Sequence, residues 1–315
     1  MLMIARDTAY HLPLNPQGPP PTLPRPVLTG ETLLAAVEGR RYRIYLLPNN
    51  ELLIDAGEAP LRLPTGIPEV ITALAILSEQ PLTLVLGTEP ARVYRLQLGG
   101  SKAHASMSFD RLPGNDGWRT PWGGPAAVRS LAVTGDGWVY ADIHVGGIMR
   151  SADGGVVWEP VAPTLPNDVH AIAVSAGGVK GLYATTSNGV WISRDRGDSW
   201  AYRGDRLGGR YGRAIAVHPK DPNVILTSVS DGPQGDNVHG QLYRSEDGGY
   251  NWRQVVDGFV GSTAANIDAG HVVFDARGDA WAIVGNQLYQ GRFAGRQWKA
   301  YWTAPQPLQL LTAYV

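Results

Sequence analysis

Ser151-Ala-Asp153-Gly-Gly155-Val-Val-Trp158 is the most informative segment of the chain, because its pattern Ser-x-Asp-x-Gly-x-x-Trp returns twice further along. The second copy starts 42 residues after the first (151 to 193), and the third starts 52 residues after the second (193 to 245). The three copies, called boxes below, are Ser151, Asp153, Gly155 and Trp158; Ser193, Asp195, Gly197 and Trp200; and Ser245, Asp247, Gly249 and Trp252. Such a recurrence indicates an array of similar structural units rather than three independent loops.

Short apolar runs precede each box at matching positions. In the first unit they are residues 128–133, 138–142 and 147–151. With 39 Gly and 24 Pro between such runs, the chain reads as many short strands joined by tight turns. Each unit supplies an inner, a second and a third strand, then the box as a turn, then a fourth strand that starts at the box Trp. A fourth unit over residues 270–298 keeps Gly295 and Trp298 but not the Ser and Asp of its box.

Four-stranded units of about 40 residues predict a β-propeller, an all-β fold whose ring has to close. We expect inner strands near residues 33, 72, 129, 171, 214, 271 and 311, and therefore seven blades in one propeller over residues 1–315. Strands from residues 2–14 would complete the blade of the last inner strand. Six blades is the alternative, because the N-terminal segment 1–30 is rich in proline (Pro19, Pro20, Pro21, Pro24 and Pro26) and hard to place.

The boxes resemble the Asp-box, or BNR, repeats of sialidase-like propellers, and this resemblance is specific over residues 128–302. That superfamily includes sialidases, xyloglucan-cleaving glycosidases, sortilin-type receptors and photosystem II stability/assembly factor-like proteins. A single propeller of this length most resembles the last group and its uncharacterised bacterial relatives of the WD40/YVTN/BNR-like type. The resemblance implies that the boxes are structural.

The chemistry of the boxes leads to the same interpretation. The Asp side chains can accept backbone N–H bonds in a tight turn, the Gly allows a positive φ, and the Trp can pack into the sheet core. The alternative, a calcium loop, requires several carboxylates at alternating positions. The second box offers only Asp195 and Asp198, and the others offer fewer.

The composition narrows the function classes. With 27 basic and 28 acidic residues, the net charge of −1 argues against a broad nucleic-acid-binding or anionic-membrane surface. There is no Cys, no apolar run long enough to span a membrane, and no visible secretory signal. We therefore expect a cytoplasmic protein, with peripheral association with a membrane complex left open, and we expect neither a cofactor nor a metal centre.

The residues that start the inner strands are the main site candidates. In a propeller these starts lie on the face opposite the boxes, where equivalent positions surround a common axis. Arg129, His170, Arg213 and His271 occupy equivalent positions, and Thr72 occupies the same place in an earlier blade. Together they predict a basic collar that would bind an anion or an acidic peptide, because Arg offers paired donors to carboxylates. The structural alternative is that each side chain bonds carbonyls of its own interblade loop.

Loops on the same face add a possible rim. His144 lies between a second and a third strand, and Asp231, Asp236 and His239 lie in an insertion at 230–240. A second insertion, at 110–124, carries Trp118 and Trp122. Exposed Trp side chains would stack on a sugar or peptide. We favour burial under the loop for both.

No catalytic residues can be assigned. The chain contains no Gly-x-Ser-x-Gly, P-loop or His-Glu-x-x-His motif. The Arg-Ile-Pro motif of sialidases is not matched, since Tyr45 follows Arg43-Ile44. A glycosidase carboxylate pair could draw on Asp231 or Asp236 with Glu89 or Asp142, but nothing selects one pair.

We therefore predict a non-catalytic scaffold that binds a protein or peptide partner, acidic peptides included, on the collar face. The resemblance supports this prediction, since the assembly-factor group receives a peptide tail on an Arg-lined face. The alternative is a glycoside hydrolase or a glycan-binding propeller.

Overall fold

Antiparallel pairing of short strands builds seven four-stranded sheets from the residues that the computed structural model describes, 1–14, 23–100, 102–175 and 181–314. Each sheet is one blade, and in blades 1–6 the four strands follow one another along the chain. The expected seven-bladed propeller is thereby confirmed.

The strands are numbered in chain order. The N-terminal strands are β1 (Leu2–Ala5), β2 (Thr8–His11) and β3 (Arg25–Thr29). Blade 1 contains β4 (Ala35–Glu38), β5 (Arg43–Leu47), β6 (Glu51–Asp55) and β7 (Leu61–Pro64). Blade 2 contains β8 (Val70–Glu79), β9 (Leu82–Glu89), β10 (Val93–Gln97) and β11 (His104–Ala105). Blade 3 contains β12 (Val128–Val133), β13 (Val139–Ile143), β14 (Gly147–Ser151) and β15 (Glu159–Pro160).

Blade 4 contains β16 (Val169–Val174), β17 (Leu182–Thr186), β18 (Gly189–Ser193) and β19 (Ala201–Tyr202). Blade 5 contains β20 (Tyr211–His218), β21 (Asp221–Ser230), β22 (Gln241–Ser245) and β23 (Arg253–Gln254). Blade 6 contains β24 (Val272–Phe274), β25 (Ala280–Val284), β26 (Gln287–Gly291) and β27 (Gln297–Thr303). The last strand is β28 (Leu308–Thr312).

Helical structure in the described part of the chain is confined to short turns. These are α1 (Met107–Asp110), α2 (Arg292–Gly295) and two 3-10 turns, Pro48–Asn50 and Asn115–Gly117. No helix within the described ranges is long and apolar enough to cross a membrane.

Blade 7 closes the ring by combining the two ends of the chain. Its strand order is β28-β1-β2-β3, and β28 pairs with β1 in a register that sets Leu311 opposite Met3. The closure expected from the sequence is confirmed, but the outermost strand comes from Arg25–Thr29 and not from residues 2–14. Pro26 is compatible with β3 because an edge strand can spare a backbone N–H. Pro19, Pro20 and Pro21 lie outside the described residues.

The apolar core is divided among the interfaces between blades. Each of the seven buried clusters in the described chain draws its members from two neighbouring blades. Between blades 2 and 3, for example, Val85 and Val93 share a cluster with Val139 and Trp158. Each blade is therefore stabilised by burial against its two neighbours.

The boxes form the turns between third and fourth strands, and the face that carries them is called the box face. In the second box, Asp195 Oδ1 accepts bonds from Ser193 Oγ (2.7 Å) and the Ser199 N–H (2.9 Å). Gly197 has a φ of +97° and donates its N–H to Ser193 Oγ (2.7 Å). The other two boxes repeat these contacts of Ser, Asp and Gly. The carboxylates therefore organise the turns.

The three box Trp side chains differ in burial, whereas the charge of all three box Asp side chains is stabilised. Trp158 and Trp252 are buried, whereas Trp200 is half-buried. Burial works against ionisation of the box carboxyls. Their hydrogen bonds nevertheless hold the pKa of Asp153, Asp195 and Asp247 below the usual value.

We predict that Asp195→Ala lowers the free energy of unfolding by about 1–3 kcal/mol, because it leaves the Ser199 N–H and the Ser193 hydroxyl without their acceptor. Asp198→Ala is the matched control in the same box. Asp198 is exposed and forms a surface ion pair with Arg150, so its loss should cost at most about 1 kcal/mol. Urea denaturation of both variants measures the difference. Equal costs would contradict a turn-organising role for Asp195.

Candidate functional site

The predicted collar residues lie at irregularities that recur in neighbouring inner strands. The pairing register shifts between residues 71 and 73, 128 and 130, 169 and 171, and 212 and 215. Thr72, Arg129, His170 and Arg213 fall within these β-bulges. A bulge leaves a residue unpaired and re-aims its side chain. The fold therefore presents these side chains in the same way in blades 2–5, on the face opposite the boxes, which is called the collar face.

Three of these side chains connect their blade to the next one. Thr72 Oγ1 donates to the Val128 carbonyl (2.7 Å), and Arg129 Nη1 donates to the Val169 carbonyl (2.7 Å). His170 Nδ1 lies 2.6 Å from the Gly212 carbonyl. These side chains thus bond backbone of the following blade. His170 is only 4% exposed, so its role in the structure is to hold blades 4 and 5 together.

Each pair of predicted basic residues shares an aspartate that was not predicted from the sequence. Asp168 lies 3.5 Å from Arg129 Nη1 and 3.3 Å from His170 Nε2. Asp268 accepts from Arg213 Nε (2.7 Å), and its own N–H donates to His271 Nδ1 (3.2 Å). The collar is defined from here on as Arg129, Asp168, His170, Arg213, Asp268 and His271. A sequence signal existed, since an Asp stands two or three residues before each collar histidine.

The collar is closer to charge balance than its basic residues alone suggest. Burial opposes ionisation of Asp168, but His170 and Arg129 hold the pKa of this carboxyl below its usual value. Burial lowers the pKa of the Arg129 guanidinium and of His271. Two guanidinium groups therefore face two carboxylates. A ligand has to share the arginines with Asp168 and Asp268.

A buried carboxyl group lies behind Arg129. Asp142 on β13 has no exposed surface, and its Oδ2 accepts a bond from Ser130 Oγ (2.7 Å). Its Oδ1 has no hydrogen-bond partner among the described residues. Burial raises the pKa of Asp142 to about 7, with a further contribution from Asp168, against the opposing effects of Ser130 and Arg129. This carboxyl group therefore changes charge near neutral pH.

An exposed aromatic side chain lies next to the collar. Trp122 is 76% exposed, and its ring centroid lies 5.3 Å from that of His144. Its loop is fixed by a bridge between Arg119 and Pro125. Burial, with Arg129, lowers the pKa of His144 to about 4. The expected burial is therefore wrong for Trp122, since its hairpin extends away from the core, whereas Trp118 is half-buried and packs against Phe109 (5.7 Å).

The predicted rim loop forms a separate polar unit. His239 Nδ1 lies 2.7 Å from Asp231 Oδ2, and both side chains are more than half exposed. Asp236 is exposed. The loop is attached to residues 263–266 through a bridge between Gly240 and Thr263. Within the described ranges, no hydrogen bond or ion pair joins this loop to Arg129, His170, Arg213 or His271.

The described residues contain no group of three His, Asp or Glu side chains that could hold a metal ion. The imidazoles of His170 and His271 each direct Nδ1 to a backbone group. The collar side chains therefore offer hydrogen-bonding and ion-pairing chemistry.

Comparisons with known proteins agree on the fold. A family model described as Sortilin, neurotensin receptor 3 matches residues 146–277, less than half of the chain. No curated protein sequence matches. The class is therefore a seven-bladed β-propeller with a Sortilin-Vps10-like segment.

Among solved structures, the chain is similar to an ancestral GH74 enzyme, with a TM-score of 0.66 and 16% identity. That similarity covers 95% of this chain but 40% of the enzyme, so the chain spans less than half of the enzyme's length. It is also similar to YCF48 bound to a D1 peptide (TM-score 0.60, 14% identity, 86% of this chain and 81% of the other). YCF48 from Cyanidioschyzon merolae gives a TM-score of 0.59 at 15% identity, over 89% and 90% of the two chains. At these identities the likeness concerns the fold.

We predict that stability falls as the pH rises from about 4 to about 7, through the titration of Asp142. The folded-state pKa of this group is raised, so its stabilising contribution is complete below the unfolded-state pKa and is lost as the pH rises through about 7. Asp142→Asn removes the titration but keeps an acceptor for Ser130. The unfolding free energy of the wild type relative to this variant should fall by up to about 1.4 kcal/mol per pH unit in that window. A constant difference between pH 4.5 and 7.5 would show that the carboxyl group is not perturbed.

Proposed function

We propose that the protein is a non-catalytic propeller that binds a peptide segment of a protein partner on its collar face. The observation that carries the proposal is the pair of arginine–aspartate contacts at equivalent bulges. The Arg129 and Asp168 side chains are 24% and 33% exposed, and those of Arg213 and Asp268 are 25% and 41% exposed. They are ordered by neighbouring strands yet remain accessible to a ligand.

The chemistry of these pairs suits a peptide. A peptide backbone offers both donors and acceptors, so it can bond to guanidinium and carboxylate groups in turn. An acidic side chain on the peptide would share Arg213 with Asp268. Trp122 adds an apolar surface next to this polar row. The YCF48 structure with a D1 peptide lends support, because that protein has a similar fold and binds a peptide.

Catalysis is not part of the proposal. Asp142, one of the carboxyl groups considered for a glycosidase pair, has no exposed surface. Asp168 and Asp268 are engaged with arginines. A catalytic acid or nucleophile has to contact the substrate.

Glycan binding is the second candidate, and the exposure of Trp122 favours it, since an exposed indole ring can stack on a sugar as well as on a peptide side chain. The two candidates differ in which residues they require. A glycan site would depend on Trp122 more than on Arg213. A peptide site would depend on both.

We predict that Arg213→Gln weakens binding of the partner at least about tenfold, because a charged hydrogen bond contributes about 1.5–3 kcal/mol. The partner would be captured with the wild-type protein after mild crosslinking in its native cells, and affinity would then be measured by biolayer interferometry. Arg62→Gln is the matched control, because it also removes an ion-paired arginine, but from the outer strand β7.

The control should bind like the wild type, and Trp122→Ala should bind more weakly. Equal affinity of wild type and Arg213→Gln would contradict a site at the collar. Failure of the wild type to capture any protein, together with binding to a glycan array that Trp122→Ala abolishes, would instead support the glycan candidate.

A further inference from the structure

Two arginines occupy equivalent places immediately before a box and reach into the next blade. Arg150 precedes Ser151, the last residue of the third strand of blade 3, and Arg244 stands in the same place in blade 5 before Ser245. Arg150 Nη1 donates to the Arg196 carbonyl (2.9 Å), and Arg244 Nε donates to the Ala294 carbonyl (2.6 Å). Both contacts reach the matching residue of the following box turn. The chain thus provides an internal comparison of one arginine in two settings.

The two settings differ in the carboxylates around the guanidinium group. Arg150 pairs with Glu159 (2.8 Å) and with Asp198 (2.7 Å), which the next blade supplies. In the decayed fourth box, Arg296 stands where Asp198 stands in the second box, two residues before the Trp. Within the described residues, no carboxylate of the next blade therefore pairs with Arg244. Arg244 shares Glu246 with Arg296 instead.

This difference leaves donor capacity of a buried guanidinium group unused. The Arg244 side chain is 8% exposed, and its Nη2 has no hydrogen-bond partner among the described residues. Leaving a buried donor unbonded costs about 1–3 kcal/mol. Arg277 shows the same feature nearby, because its Nε and Nη2 have no hydrogen-bond partner within the described chain. The carboxylate of its ion-pair neighbour, Asp275, lies 3.8 Å from Nε.

A cavity of about 420 Å³ brings these groups together. Its lining includes Arg244, Arg277 and Arg296. It lies on the box face, between the α2 turn and the turns that join first and second strands of blades 5 and 6. An acceptor bound in this cavity would lie beside Arg244 as Asp198 lies beside Arg150.

Asp221 and Asp279 line the cavity and Glu246 flanks it, and each of these acidic groups has its own partner or is partly buried. Asp221 Oδ1 accepts a bond from the Asn223 N–H (2.9 Å). Burial and Asp275 raise the pKa of Asp279, so this carboxyl group takes up a proton more readily than usual. Glu246 is held ionised by Arg296 and Arg244, which lower its pKa to about 2. Burial lowers the pKa of the lining His218, which therefore adds little positive charge at neutral pH.

We propose that this cavity is an oxyanion site that takes a phosphate group, either free or as a phosphate ester of a small molecule. The guanidinium groups of Arg244 and Arg296 are the donors, and Arg277 lies in the same lining. Guanidinium groups bond phosphate oxygens in pairs. The site lies on the face opposite the collar and does not depend on the proposed function.

Thermal unfolding and isothermal titration calorimetry test this site, with inorganic phosphate and glycerol phosphate as probes and chloride at equal ionic strength as the reference. The expected result is a rise in Tm of about 2–3 °C at ten times the measured Kd. Arg296→Asp should abolish the rise, because it places a carboxylate where the second box has Asp198. The Arg296→Asp variant should still fold, because Arg150 already pairs with a carboxylate at this position of the following box. Arg296→Gln, which adds no charge, should weaken the response at least about fivefold in Kd.

Two further variants define specificity. Arg111→Asp makes the same charge change at an exposed turn between blades 2 and 3, and it should keep the full response. Arg213→Gln should also keep it, because the collar is on the other face. A response to inorganic phosphate alone indicates a free anion, and a response to both probes indicates an ester group. No response beyond chloride, an undiminished response in Arg296→Asp, or a loss in Arg111→Asp or Arg213→Gln would overturn the proposal.

Discussion

Pairing of β28 with β1 closes the ring, and the other features of the propeller require that closure. Every apolar cluster in the described chain lies between two neighbouring blades, so a blade at an open end would expose one of its faces to water. Joining the two chain ends in one sheet gives each blade a neighbour on both sides. Closure also arranges equivalent residues of successive blades around one axis. A residue type that recurs at the start of inner strands therefore lies around the axis on one face of the ring.

The collar follows from this geometry together with the bulges. A regular inner strand would use its first residues for ladder pairing, whereas the shifted register frees Thr72, Arg129 and His170 to bond the backbone of the following blade. The contacts that hold blades together thus lie beside the groups that face a ligand. Because Asp168 and Asp268 balance the arginines, recognition on this face depends on the placement of donors and acceptors rather than on net charge. The overall charge of −1 is in keeping with that picture.

The sequence predicted the architecture well because its evidence is periodic. Three boxes defined the unit, and the apolar runs before them located inner strands from residue 33 to residue 311. The sequence does not identify the outer strand of blade 7. The segment Arg25–Thr29 is mostly exposed and contains Pro26, so it lacks the apolar pattern of a strand. The site was less predictable. The basic residues were found because they recur at equivalent positions. Asp168 and Asp268 were missed because their contacts with Arg129 and Arg213 span 39 and 55 residues and depend on how neighbouring blades are rotated. The exposure of Trp122 could not be inferred either, because it depends on how one hairpin leaves the core.

Site-specific photocrosslinking in the native cells would show directly whether a protein partner binds the collar face. A photoreactive phenylalanine derivative would replace Trp122 next to the collar in one variant and Val157 in the first box in another, since both side chains are more than half exposed. A partner bound at the collar should give a specific protein adduct from position 122 and none from position 157. An adduct from position 157 alone, or from neither position, would show that the collar face is not the binding surface.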